Sequence, residues 1–171
     1  QGYVHGAFKG VLYQVGRSRP KTILVPCSED WDAACGAKPC SGDLDVSKWF
    51  CQSQIIASID RFPGTTCWLQ NGYDIIAVRQ ARRRSRRARA TCSQVNTTIH
   101  DMFSVGWRGN LIVFKRGCRD TSRVVNITER EVPLMNALVH RCVSYCFKYT
   151  IFCVALTSGR RWLEVELERL R

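Results

Sequence analysis

The chain lacks any apolar run of the roughly eighteen residues that a membrane-crossing helix needs. Its most apolar stretch, Cys142 to Leu156, is broken by Ser144, Lys148 and Thr150, so no transmembrane segment is expected. Acidic side chains are scarce. Fourteen Asp and Glu face 26 Lys and Arg, for a net charge of +12 and a pI near 9.6. Such an excess favours an anionic partner: a glycan, RNA or an acidic protein surface. There is no Cys-x-x-Cys pair, and His5, His100 and His140 stand at no metal-ligand spacing to a thiol cluster, which argues against a local zinc site. A Gly-rich phosphate loop, a nucleophile elbow and paired carboxylates are also missing, so no catalytic residue is assigned and no cofactor is expected. Neither an internal repeat nor a Gly/Ser-rich or Pro-rich linker divides the chain.

What is present is a globular balance, with 45% hydrophobic and 23% charged residues over 171 positions, enough for one ordinary domain. Ten cysteines, an even and dense complement, point to disulfides in an oxidising compartment. Two N-glycosylation sequons fit that compartment, at Asn96-Thr97-Thr98 and Asn126-Ile127-Thr128. The first residue, Gln1, reads as that of a mature product after signal removal, so a secreted or extracytoplasmic location is expected.

The sharpest feature is Arg79 to Arg89, in which Arg79, Arg82, Arg83, Arg84, Arg86, Arg87 and Arg89 make seven of eleven residues. Mutual repulsion keeps such a run out of a core. It separates a cysteine-rich region 1–78 (Cys27, Cys35, Cys40, Cys51, Cys67) from a strand-rich region 90–171 (Cys92, Cys118, Cys142, Cys146, Cys153). Each side holds an odd number, so complete pairing requires a disulfide across the run and makes one linked unit. Arg84-Ser85-Arg86-Arg87 resembles the Arg-x-Arg-Arg pattern cut by furin-like convertases, with a second match ending at Arg89, which implies a processing protease and an exposed loop. The same arginines also suit an RNA groove or another polyanion, although no aromatics are interleaved with them for base stacking. A solvated loop that only aids solubility is the bland alternative.

Patterning predicts an α+β fold, mainly antiparallel strands with one or two helices and rich in disulfides. Strands are expected at Phe8–Val15, Thr22–Val25, Tyr73–Val78, Asn110–Lys115, Arg123–Ile127 and Val143–Leu156, and in the alternating Leu163–Leu167. Helices are expected from Val46 to Ile59, capped by Asp45, and from Glu129 to Val139 despite Pro133. The tryptophans Trp31, Trp49, Trp68, Trp107 and Trp162 read as packing residues.

Cys92-Ser93-Gln94-Val95-Asn96-Thr97-Thr98-Ile99-His100 resembles the Cys-Lys-x-x-Asn-Thr-Phe-Val/Ile-His stretch of the ribonuclease A superfamily, secreted basic proteins of α+β fold. Cys118 and Glu131 to Met135 are similar to that family's later cysteine and strand. Ser93 stands where the family has its catalytic lysine, and no histidine follows His140, so the resemblance implies a non-catalytic member. Three functions therefore lie open. They are a secreted or surface glycoprotein that binds a cell-surface receptor or a polyanion, an RNA-binding protein of an organelle or viral assembly with an arginine-rich arm, and a ribonuclease-like protein without catalysis.

Overall fold

Runs rich in β-branched and aromatic residues place the first strands. The computed structural model describes residues 6–31, 39–50, 54–78, 94–117 and 123–149, the last five as backbone alone. Strands β1 (Ala7–Tyr13) and β2 (Lys21–Pro26) form a hairpin, as do β3 (Gln54–Arg61) and β4 (Trp68–Val78). Helix α1 (Thr97–Phe103), β5 (Leu111–Arg116), β6 (Val124–Val125) and α2 (Val132–Tyr149) follow. The strands make one antiparallel sheet in the order β2-β1-β5-β4-β3, and β6 pairs with the end of β5.

The central strand, β5, comes from beyond the arginine run. Its neighbours β1 and β4 both come from before it, so regions 1–78 and 90–171 share one hydrogen-bonded sheet. Successive side chains leave a strand on opposite faces, and here both faces are covered. One face, with Val11, Tyr13, Ile75, Val113 and Trp107, packs under α1 and α2. The other, with Leu12, Ile23, Ile76, Ile112 and Phe114, is closed by Leu44, Val46 and Phe50 of the segment between β2 and β3. Double burial explains why β5 reads as an unbroken apolar run, Leu111 to Phe114. Gly10 of β1 makes this packing possible, because a Cβ there would lie 2.7 Å from Phe114 Cε1.

Several expectations need correction. The Val46–Ile59 helix is absent: Asp45 caps only a 3-10 turn, Ser47–Trp49, through a 3.0 Å bond from the Ser47 amide, and Gln54 onward is β3. Pairing with β4 satisfies that backbone, while Ala57 and Ile59 alternate into the core. The strand expected from Val143 is also absent, since Val143–Tyr149 continue α2. Met135, Leu138, Val139, Cys142 and Val143 recur at i, i+3, i+4, i+7 and i+8 and make one buried stripe. The rest of that stretch, and Leu163–Leu167, lie outside the described residues. Pro133 falls in the first turn of α2, where it needs no amide partner. Glu131–Met135 thus opens a helix and forms no strand. The Arg123–Ile127 strand shrinks to β6.

Cys27, Cys40, Cys67 and Cys142 are free thiols, and Cys142, buried in the helical core, has its thiol pushed up to about 12 by that burial. The remaining cysteines, apart from the backbone of Cys146 in α2, lie outside the described residues. Because β5 is hydrogen-bonded on both sides, a chain cut within 79–89 and fully reduced is expected to elute as one particle in size-exclusion chromatography. Separation into two fragments in native buffer would refute the shared sheet as the link.

Candidate functional site

Charged residues in the described part fall into two kinds, those locked in pairs and those left facing solvent. The first kind begins at a β-bulge. Between Ile59↔Tyr73 and Arg61↔Trp68 the β3–β4 register shifts, and beside that irregularity Ser58, Asp60, Gly72, Asp74 and Arg116 share one face of the sheet. Asp74 accepts 2.5 Å from Ser41 Oγ and 2.7 Å from Ser58 Oγ. Arg116 Nε stands 3.1 Å from Asp74 Oδ1, out of hydrogen-bond alignment, and Nη2 donates to Asp60 Oδ1. Gly72 leaves the room, since a Cβ there would sit 2.6 Å from Arg116 Nη2 and 2.7 Å from Asp60 Oδ1. Ser41 and Asp74 are 3% and 4% exposed, so the serine hydroxyl has no route to a substrate. The cluster ties the covering segment to the sheet.

A second pair lies on the helical face, where Lys115 Nζ contacts Glu131 Oε1 at 2.7 Å, and the Thr128 amide and hydroxyl donate to Oε2, each at 2.9 Å. Burial pushes the Glu131 carboxyl up. The hydrogen bonds from Lys115 and Thr128 and the lysine charge outweigh that and hold it below its ordinary 4.5. Nearby, burial and then the Glu131 charge push the Tyr73 hydroxyl up to about 12.

Four exposed cations lie together at one end of the sheet. There β1 ends, β2 and β5 begin, and the 3-10 turn Ser47–Trp49 folds over. Arg17, Arg19, Lys21 and Lys48 are exposed, and none has a carboxylate within ion-pair distance among the described residues. Gln14, Lys21, Ile23, Leu24, Lys48 and Trp49 line an open groove of about 300 Å³. The turn is anchored, because Asn110 Nδ2 donates 2.8 Å to the Trp49 carbonyl while Asn110 Oδ1 accepts from the Val15 amide at 2.9 Å. Lys48 Nζ stands 5.7 Å from the Trp49 ring centroid, over its face.

The seven arginines of 79–89, read as a cleavage or polyanion site, lie outside the described residues. Their described flanks, Val78 and Gln94, both sit at the cationic end: Ala77 pairs with Leu111, and the Gln94 carbonyl accepts from the Gly109 amide. Asn96 is a correction. Its side chain is fully buried, Nδ2 donates to the carbonyls of Tyr13 and Gly109, each at 2.8 Å, and Oδ1 caps α1 by accepting from the Ile99 amide at 3.0 Å. With both amide hydrogens used and no exposed surface, the folded chain has no room for a glycan there. Asn126 is exposed, and its Oδ1 alone is used, by the Lys9 amide at 2.8 Å. His100 is exposed on α1 beside Asp101, and His140 stacks on Phe103 at 4.9 Å. The two belong to different elements and share no partner in these contacts.

The sequence reading missed Asp60, Asp74 and Arg116. Asp74 was traceable as a single charge within the apolar strand Tyr73–Val78. Lys21 and Lys48, 27 positions apart, carried no local signal. The fold and the groove define a doubly covered antiparallel α+β domain with a cationic end. No protein-family model, curated protein or solved structure matches the chain.

Asp74→Ala strands Arg116 and two hydroxyls, and is expected to lower stability by about 3–5 kcal/mol. The paired change Asp74→Leu with Arg116→Met should recover most of it, as read by urea denaturation. Glu131 holds its proton less readily folded than unfolded, so its stabilisation is complete above pH 4.5 and is lost as pH falls through the folded value. Glu131→Gln should therefore show a shallower acid-side loss of stability than the unaltered chain in denaturant titrations at stepped pH.

Proposed function

We propose that this protein is a secreted or surface binding protein for an anionic partner, with no catalysis of its own. One observation carries the reading. Asp60, Asp74 and Glu131 are consumed in internal pairs, whereas Arg17, Arg19, Lys21 and Lys48 converge unpaired at one end of the sheet. In a chain of net charge +12 this makes one cationic patch, which attracts counter-ions and speeds encounter with a polyanion. Disulfides among the remaining cysteines, a glycan on Asn126 and convertase cleavage at Arg87 or Arg89 belong to the same reading, with a cell-surface receptor as the other form of partner.

A second reading, an RNA-binding protein with an arginine-rich arm working in a reducing compartment, draws support from the free thiols of Cys27, Cys40, Cys67 and Cys142. Thiol labelling of the secreted, denatured chain separates the two, since few reactive thiols fit the first reading and most of the ten fit the second.

The test of the first reading is affinity for immobilised polyanions as a function of salt. Binding should weaken steeply and log-linearly with salt concentration, as counter-ion release requires. Affinity that is absent at low salt, or insensitive to salt, would sink it.

A further inference from the structure

We propose that the groove between β2 and the Ser47–Trp49 turn is a binding site for a sulfated oligosaccharide; this rests on the polyanion reading and narrows it. A sulfated sugar chain offers two surfaces at once, anionic groups on its rim and apolar C–H faces on its rings. The groove supplies a counterpart to each. Lys21 on β2 and Lys48 on the turn bring ammonium groups, compact charges that donate in three directions and suit tetrahedral sulfate. The half-buried Trp49, with the edge of Ile23 beside it, supplies apolar wall for the ring faces.

At the same groove the Gln14 side-chain oxygen is buried with no hydrogen-bond donor, an orphaned acceptor on a lining residue. Rigidity favours recognition, because the turn is fastened through Asn110 to both β1 and β5 and the ligand need not order it. Arg17 and Arg19, in the β1–β2 turn, extend the positive surface beyond the groove, so a chain longer than one disaccharide gains further contacts. The turn is itself held, since Thr97 and Thr98 hydroxyls donate to the Arg17 carbonyl at 2.7 and 2.8 Å.

Single-stranded RNA suits the groove less well. A single strand binds by stacking successive bases on several aromatic side chains, and the groove is lined by one, Trp49. The groove also contains no guanidinium fork for base edges.

The experiment titrates the full chain with a defined sulfated hexasaccharide, its unsulfated counterpart and a single-stranded RNA of equal charge. It compares Lys21→Gln/Lys48→Gln with a charge-matched control, Lys9→Gln/Arg130→Gln, whose residues are exposed on β1, facing the side of the sheet opposite Ile23, and on the 3-10 turn before α2. Thermal melting confirms that both variants are folded. The expected result is binding of the sulfated sugar alone or preferentially, with affinity reduced about tenfold or more in the groove variant and less in the control. Equal losses in the two variants, or none in the groove variant while the unaltered chain binds, overturn the site but leave polyanion binding standing. Groove-dependent binding of RNA as tight as that of the sugar overturns the sulfated-glycan assignment. No binding of any polyanion by the unaltered chain overturns the parent reading.

Discussion

The insertion of β5 between β1 and β4 is the constraint on which the rest of the molecule depends. Val113 is paired with Val11 on one side and Ile75 on the other, so strands roughly a hundred residues apart along the chain are joined in one ladder. Closing loops of that size loses chain entropy before any contact is gained. The compensation is that β5 brings apolar side chains to both faces at once, Leu111 and Val113 to the helices and Ile112 and Phe114 to the covering segment. Take β5 away and both cores open.

A sheet covered on both sides leaves polar groups little access to water, which accounts for the polar clusters at its edges. Asp74 lies in register with Ser58 and carries no solvent of its own, so it accepts from two hydroxyls and faces Arg116. Arg116 Nη2 donates in turn to Asp60, and the absent side chain of Gly72 gives that pair its space. On the helical face Lys115 and Glu131 play the corresponding part, joining the end of β5 to the turn that starts α2. Each cluster consumes carboxylates inside the structure.

That consumption shapes the outer surface. With Asp60, Asp74 and Glu131 drawn into pairs, the cations at the start of β2 and on the Ser47–Trp49 turn face solvent without an ion-pair partner among the described residues. Their positions follow from backbone geometry: Leu12 opposite Lys21 sets one wall of the groove, and the Asn110–Trp49 bond sets the other. The two ends flanking the arginine run meet the sheet at this same end. Charge that appears diffuse along the chain is therefore concentrated in space, the form in which electrostatic attraction most affects encounter and binding.

Taken alone, the amino-acid order determined the local features whose physics is local. The β-branched and aromatic runs of β1 and β2, the apolar runs of β4 and β5, and a helix near Glu129–Val139 were legible because apolar spacing and β-branching act over a few residues. The excess of positive charge was legible too. Tertiary structure decided the rest. Whether Gln54–Arg61 would be helix or strand depended on the free edge of β4 offering backbone partners, and whether Val143–Tyr149 would be strand or helix depended on a core that received one side of α2. Asn96 looked like a surface acceptor for sugar until the Tyr13 and Gly109 carbonyls, 83 and 13 positions away, claimed its amide. The groove of Lys21, Lys48 and Trp49 had no signature along the chain, because its residues meet only when the sheet forms. Spacing along a sequence records neighbours within a turn or a strand, whereas burial, pairing and concentrated charge are properties of groups brought together from far apart.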